Sequence, residues 1–205
     1  RVTGVQTCAL PISGVDPINI AAHIYISLQE IISREIDPNK AAVVTIGKFA
    51  GGDAPNIIPS EVIMEGTIRS LDKELGEFIF NRINDIVVST AKMFRGEAEL
   101  IELSSVLPLA NDDNLAYEVT EYMKEVVGEQ SVVLFKSSGM GSEDFAAYSY
   151  NVPSLYVMLG AGSKQENNLF GEPMHSDKVV FNEDILPTGA AIHAYSAIKW
   201  LKNNK

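Results

Sequence analysis

Residues 61–103 read EVIMEGTIRSLDKELGEFIFNRINDIVVSTAKMFRGEAELIEL. In the first ten residues Val62, Met64, Gly66 and Ile68 alternate with Glu61, Ile63, Glu65, Thr67 and Arg69. Period-two alternation predicts a strand with one apolar face and one mixed face. The pattern then changes to spacings of three and four, through Leu75, Phe78, Ile79, Ile83, Ile86 and Val87. That predicts a long helix over 72–94, closed by Gly96. Alternation returns over 97–103 and predicts another strand.

Upstream, Asp16 suits a helix N-cap and Pro17 the first helical position. Ile20, Ile24, Leu28 and Ile31 then form one apolar stripe. Asp37-Pro38 ends that helix, a β-branched strand follows over 41–46, and Gly51-Gly52-Asp53 turns the chain. The order α-β-β-α-β is a ferredoxin-like βαββαβ unit with its first strand missing.

The vacant place falls on residues 2–13, VTGVQTCALPIS, the string a common sequencing adapter gives when translated in one frame. Residues 1–13 are therefore expected to be an artefact, Cys8 to carry no information, and the natural chain to continue upstream.

The chain changes character at 107–111, where a domain crossing is expected. Beyond it the pattern predicts a helix over 114–127 and a strand over 132–135. A helix over 142–150, capped by Ser142, and a buried strand over 153–159 follow. The last helix spans 182–203 with Pro187 in its first turn. The fold class is thus α/β overall: an α+β lid unit over 14–106, then part of an α/β domain over 107–205.

Composition narrows the function. A net charge of −11 with no clustered Lys and Arg argues against nucleic-acid binding. No apolar run is long enough to span a bilayer. The single cysteine cannot form an internal disulfide, which makes the cytoplasm the default location.

His175 follows a polar loop, in Glu172-Pro173-Met174-His175-Ser176. Imidazole is the commonest neutral metal ligand, yet a lone histidine is more often a surface residue. His23 and His193 lie in helices, where structural roles are expected. Gly139-Met140-Gly141-Ser142-Glu143-Asp144 leads into a helix, where acidic residues usually serve as caps. Asn56, between two prolines, and Arg69 carry an amide and a guanidinium suited to a carboxylate or a polarised carbonyl. Each is individually more common as a turn residue and a surface charge.

Six stretches change these odds. They are Gly14-Val15-Asp16-Pro17-Ile18, Ser33-Arg34-Glu35, Gly51-Gly52 with Asn56-Ile57-Ile58-Pro59, Gly66-Thr67-Ile68-Arg69-Ser70, Ser142-Glu143-Asp144-Phe145 and Pro173-Met174-His175-Ser176. In this order and spacing, across residues 14–205, they resemble the aminoacylase/carboxypeptidase family of dimetal amidohydrolases. The likeness is to its hippurate-hydrolase and N-acyl-amino-acid amidohydrolase branch.

The resemblance implies a lid and dimerisation domain over 14–106 and the C-terminal part of a zinc-peptidase-like catalytic domain over 107–205. It implies two divalent ions (zinc, manganese, cobalt or nickel), with His175 as a ligand. It implies that Asn56 and Arg69 bind substrate, that Glu143 and Asp144 support the site, and that the lid mediates a homodimer through the first helix and a neighbouring strand.

The family's remaining ligands, its general-base glutamate and a lid histidine fall upstream of these residues, and His23 does not match that histidine. The chain by itself is therefore expected to be inactive. Two alternatives stand beside the N-acyl-amino-acid amidohydrolase: a dipeptidase or carboxypeptidase of the same chemistry, and a non-catalytic binding or assembly module.

Overall fold

The structure is a computed structural model describing residues 2–3, 14–135, 139–141 and 143–204. The chain separates into two compact units, residues 1–108 with 140–144, and residues 109–139 with 145–205.

The first unit begins with β1, Val2–Thr3, and α1, Pro17–Glu30. Asp16 is extended, and its carboxylate accepts the Ile18 and Asn19 N–H groups at 2.9 and 3.4 Å. Those are orphan donors of the first turn, so the cap sets where α1 starts. Ile20, Ile24 and Leu28 are buried as the stripe requires. A π-helical turn over Ile31–Glu35 ends the helix, with Ile31 still in the core.

β2, Ala42–Ala50, is longer than the expected 41–46. It pairs antiparallel with β3, Glu61–Ser70, from Ala42 opposite Ser70 to Ala50 opposite Ile63. The register shifts between Ile46 and Lys48, so Gly47 is an extra residue in a β-bulge. The bulge lets pairing continue where the hydrophobic alternation of β2 stops.

α2, Lys73–Met93, is capped by Asp72, whose carboxylate accepts the Leu75 N–H at 2.8 Å. Leu75, Ile79, Ile83, Val87 and Ala91 form its buried ridge. Phe78, expected on the stripe, lies off the ridge and is 41% exposed. The helix end also differs in detail. Arg95 takes the left-handed conformation, φ 63°. Its N–H donates to the Lys92 carbonyl, and the Gly96 N–H donates to the Ala91 carbonyl. That is the Schellman pattern, with arginine where glycine is usual.

β4 is only Glu97–Ala98. The sheet order is β2-β3-β1-β4. β1 pairs antiparallel with both β3 and β4, Val2 facing Val62 and Ala98. The slot expected to be missing is therefore held by two residues. The pairing uses main-chain groups, which every extended segment carries. Among the described residues β4 pairs only with β1, at Val2 and Thr3, and it is shorter than the expected 97–103.

The core of the unit lies between the sheet and its two helices, with Ile20, Ile24, Val62 and Ile79 at its centre. Away from it, Arg82 of α2 forks onto Glu35, with Nε and Nη2 at 2.6 and 2.7 Å from the two carboxylate oxygens. Its Nη1 donates to Asp85 at 3.2 Å. The fork ties the end of α1 to the middle of α2.

Arg82 holds the Glu35 carboxyl below the usual carboxylate range. A depressed folded-state value stabilises the fold above the unfolded value, about 4.3, and that contribution is lost as pH falls through the folded value. Glu35→Gln is therefore expected to flatten the fall of Tm with acid below about pH 4.5. Melting curves of both proteins across pH 3–7 check this. Parallel curves count against the pair.

In the second unit, α3, Asp113–Val127, is capped by Asp112, and α4 is Ala146–Ser149. α5, Leu186–Asn203, follows a 3-10 turn whose Asn182 accepts the Asp184 N–H at 3.0 Å. Pro187 sits in its first turn as expected. α3 and α5 are joined by polar side chains. The Tyr195 hydroxyl and Lys199 both reach Glu125, and Asn203 donates to the Tyr122 hydroxyl at 2.7 Å.

Three expectations fail here. Residues 132–135 and 153–159 form no strand, and the helix expected over 142–150 is reduced to α4; its Ser142 cap lies outside the described residues. β-branched runs suit strands, but a strand exists only with a neighbour to pair with. Residues 153–159 are instead anchored by a side chain. Asn111 Nδ2 donates to the Tyr156 carbonyl at 3.0 Å, and its Oδ1 accepts the Tyr156 N–H at 2.8 Å. One amide thus does what an opposite strand residue would do.

No helix among the described residues is long and apolar enough to cross a membrane.

Candidate functional site

Arg69 is the ninth residue of β3, opposite Val43 of β2. Its side chain is exposed, and Nη1 donates to the Met140 carbonyl at 2.7 Å. Segment 140–144 belongs to the same unit, so Arg69 and the Glu143-Asp144 pair, far apart in sequence, share one region. Glu143 is half-buried and Asp144 exposed. Among the described residues no other acceptor is recorded for Arg69, which leaves the Nε–Nη2 edge of its fork available. That edge presents two parallel N–H groups, the geometry that matches a carboxylate.

Asn56 lies in the loop between β2 and β3. The Ile57 N–H donates to the Ala54 carbonyl at 3.3 Å, closing a turn with Pro55 and Asn56 at its centre. Proline suits the second position of such a turn. Asn56 is exposed. It precedes β3, whereas Arg69 is near the far end of that strand. At the usual rise, Glu61 and Arg69 are about 26 Å apart. The structure therefore does not bring Asn56 and Arg69 together within one chain.

His175 is in the second unit. It is exposed and has φ 73°, one of two non-glycine residues in the left-handed region among those described. The Ser176 N–H donates to the Pro173 carbonyl at 3.0 Å and the Val179 N–H to the Ser176 carbonyl at 3.3 Å. Backbone in this sparsely populated region costs energy and persists only where surroundings enforce it. An exposed imidazole on such a turn can supply one metal ligand. Among the described residues no group of three or more His, Cys, Asp or Glu could hold an ion. The donor type fits a divalent metal; a two-metal centre needs more ligands than cluster here.

The other histidines have different settings. His23 stacks on Phe94 with ring centroids 4.6 Å apart, and His193 is exposed on α5. Cys8 lies outside the described residues. Sequence reasoning missed the Met140 carbonyl as the partner of Arg69. No residue type signals it, because the acceptor is main chain.

Residues 8–93 match the peptidase dimerisation domain of the M20 family. An IAA-amino acid hydrolase (ILR1-like 2) of Arabidopsis thaliana is 32% identical over 198 residues, 95% of this chain and 44% of the relative. The hippurate hydrolase of Campylobacter jejuni is 32% identical over 193 residues, 94% of this chain and 48% of the relative. The chain thus spans less than half the length of these curated relatives.

Among solved structures, the YXEP protein of Bacillus subtilis, described as a dinuclear metal-binding peptidase of the M20 family, superposes with a TM-score of 0.74 at 22% identity. The match covers 98% of this chain and 51% of that one, and it supports the fold. The dimerisation-domain match and the two relatives agree with the ordered motifs, and the chain belongs to the M20 aminoacylase/carboxypeptidase family.

Proposed function

We propose that the full-length protein is a metal-dependent amidohydrolase that releases a free amino acid from an N-acyl-amino acid. The observation that carries this reading is Arg69, steadied by the Met140 carbonyl through one arm with its carboxylate-matching edge left open. An N-acyl-amino acid has such a carboxylate next to the scissile amide. The names of the two relatives point to the same substrate class: hippurate is an N-acylated glycine, and the plant relative is an amino-acid conjugate hydrolase.

Each residue then has a stated task. Arg69 fixes the α-carboxylate, and the Asn56 amide donates to the carbonyl oxygen as charge builds on it. His175 is one imidazole ligand, and Glu143 and Asp144 support the Arg69 region. Two divalent ions (zinc, manganese, cobalt or nickel), when bound, supply a Lewis acid and an activated water.

In this reading Asn56 and Arg69 serve the sites of different protomers in a homodimer, which is supported by their separation along β3. The dimer face we assign is α1 with β2. Among the described residues β2 is an edge strand with one side unpaired. Beside it Ile18, Tyr25, Ile26 and Phe49 are exposed apolar groups, and Tyr25 packs edge-on against Phe49 at 6.5 Å.

The test is hydrolysis of N-benzoylglycine by the metal-loaded full-length protein, with loss on chelation. The 205-residue polypeptide alone is expected to be inactive, since one imidazole does not hold a metal pair. A full-length protein that binds no metal and cleaves no N-acyl-amino acid would sink the reading.

A further inference from the structure

We infer that the first unit binds a linear alkyl diammonium ion in the groove between α1 and α2, with one ammonium beside Glu30 and Thr90 and the other at Asp85.

Two contacts fix how the helices lie. His23 of α1 stacks on Phe94 at the end of α2, and Glu35 of the π-helical turn pairs with Arg82. The same number of residues separates the two contacts on each side, so the helices run antiparallel in register. Ser27 is then level with Thr90, and Glu30 falls between the levels of Thr90 and Asp85. The groove between these ties has a volume of about 460 Å³, and its lining belongs wholly to the first unit.

The lining calls for a cation. Glu30, Glu35 and Asp85 set three carboxylates against one guanidinium. Arg82 is already engaged, with Nε and Nη2 on Glu35 and Nη1 on Asp85. Glu30 has no ion-pair partner among the described residues. Thr90 lines the groove and is 8% exposed, yet its hydroxyl has no hydrogen-bond partner among the described residues. Burying a hydroxyl in that state is unfavourable, so it marks a place where a ligand's donor belongs. The Ser27 hydroxyl gives its proton to the His23 carbonyl at 2.8 Å and keeps only acceptor capacity.

These acceptors suit an ammonium better than a metal ion. Among the described residues no group of three or more His, Cys, Asp or Glu could hold an ion. An ammonium has three N–H donors, and the Glu30 carboxylate with the Ser27 and Thr90 hydroxyls supplies three acceptors. Ile86, half-buried in the lining, offers apolar surface to an alkyl chain. Asp85 lies about 7.5 Å from Thr90 along the helix axis. Its side chain is 63% exposed and takes one bond from Arg82, which leaves room for a second ammonium. An extended five-carbon diamine spans that distance. At about 100° per residue, Ser27 and Glu30 lie on the face of α1 opposite Ile18 and Tyr25, away from the assigned dimer face.

The experiment is calorimetric titration of the full-length protein, freed of metal by dialysis against a chelator, with 1,5-diaminopentane at low ionic strength. One equivalent should bind with a Kd of about 0.1–1 mM. Glu30→Gln should weaken binding about tenfold and Thr90→Val about fivefold. Asp85→Asn should weaken the diamine about fivefold and leave n-pentylamine unchanged. 1,5-Pentanediol, equal in length and uncharged, should not bind. Tm should stay within about 2 °C of the parent in all three variants, so that the titrations read the groove and not the fold.

Absence of binding overturns the proposal. Binding that Glu30→Gln and Thr90→Val both leave unchanged also overturns it, because the diamine is then held elsewhere. Equal binding of the diol removes the need for charge. Displacement of the diamine by an equal concentration of magnesium chloride would make the groove a metal site. n-Pentylamine binding as tightly as the diamine would remove the second ammonium.

Discussion

Arg69→Ala in the full-length protein is expected to lower kcat/KM on N-acyl-amino acids by about 10²–10³-fold, roughly 3–4 kcal/mol of transition-state binding. The size follows from chemistry at the site. A guanidinium edge and a carboxylate form two charge-assisted bonds, and removing one partner leaves the other desolvated without compensation. Amides lacking the carboxylate should lose little, because they never engage that edge. An equal loss on both substrate types would show that Arg69 acts through the fold.

Arg69→Lys should recover little, since an ammonium is a point charge without the fork. The opposite ends of β3 add a sharper result. Mixed dimers of Arg69→Ala with Asn56→Ala should regain activity, because one of the two sites then receives Arg69 from one protomer and Asn56 from the other. Failure of mixed dimers to exceed either parent would place both residues in one protomer's site.

Ile79→Ala is expected to cost the first unit about 4 kcal/mol. Ile79 is 0% exposed and packs in the cluster with Ile20, Ile24 and Val62. Truncation removes three carbons and leaves a void where ridge and sheet meet, and the surrounding branched side chains relax poorly into it. Domains of this size have about 5–15 kcal/mol in hand, so most of the margin is at stake. Urea denaturation of the parent and variant measures it. Met93→Ala is the control: Met93 is 69% exposed, lies outside the face assigned to the dimer, and should cost well under 1 kcal/mol. A loss below about 1.5 kcal/mol for Ile79→Ala would mean that the ridge is not the centre of the core.

What was legible in the sequence was local. Asp16-Pro17 marked a helix start because its cap and its fixed φ act within three residues. The isoleucine stripe of α1 and the ridge of α2 were readable because helical spacing puts them on one face. The alternation in β3 likewise named the side chains it turns to the core, Val62 buried and Met64 and Ile68 partly so.

Most of the misreadings concern partners remote in sequence; Phe78, off the α2 ridge, and Arg95, in place of Gly96 at the helix end, are the local ones. The β1 slot is filled through main-chain groups that carry no residue signature. β4 pairs with Val2 and Thr3 of β1, a partner absent from 97–103. The β-branched runs at 132–135 and 153–159 carried strand propensity without a neighbour to realise it. At the site, the ordered motifs singled out Asn56, Arg69 and His175. They did not disclose that Met140 steadies Arg69, or that β3 holds Asn56 away from it. Gly96 was a reasonable helix stop, but Arg95 carries the strained residue and Gly96 only the closing N–H.

The Asn111 clip on Tyr156 depends on an amide that a carboxylate cannot replace. The amide works because it offers a donor to a carbonyl and an acceptor to an N–H. Deamidation would leave the acceptor and turn the donor into a second oxygen facing the Tyr156 carbonyl, two lone pairs against each other. The main-chain bond from the Asp112 N–H to the Ser154 carbonyl, 2.9 Å, would remain on residues 153–159, which would then be held by that bond and not by the side-chain clip.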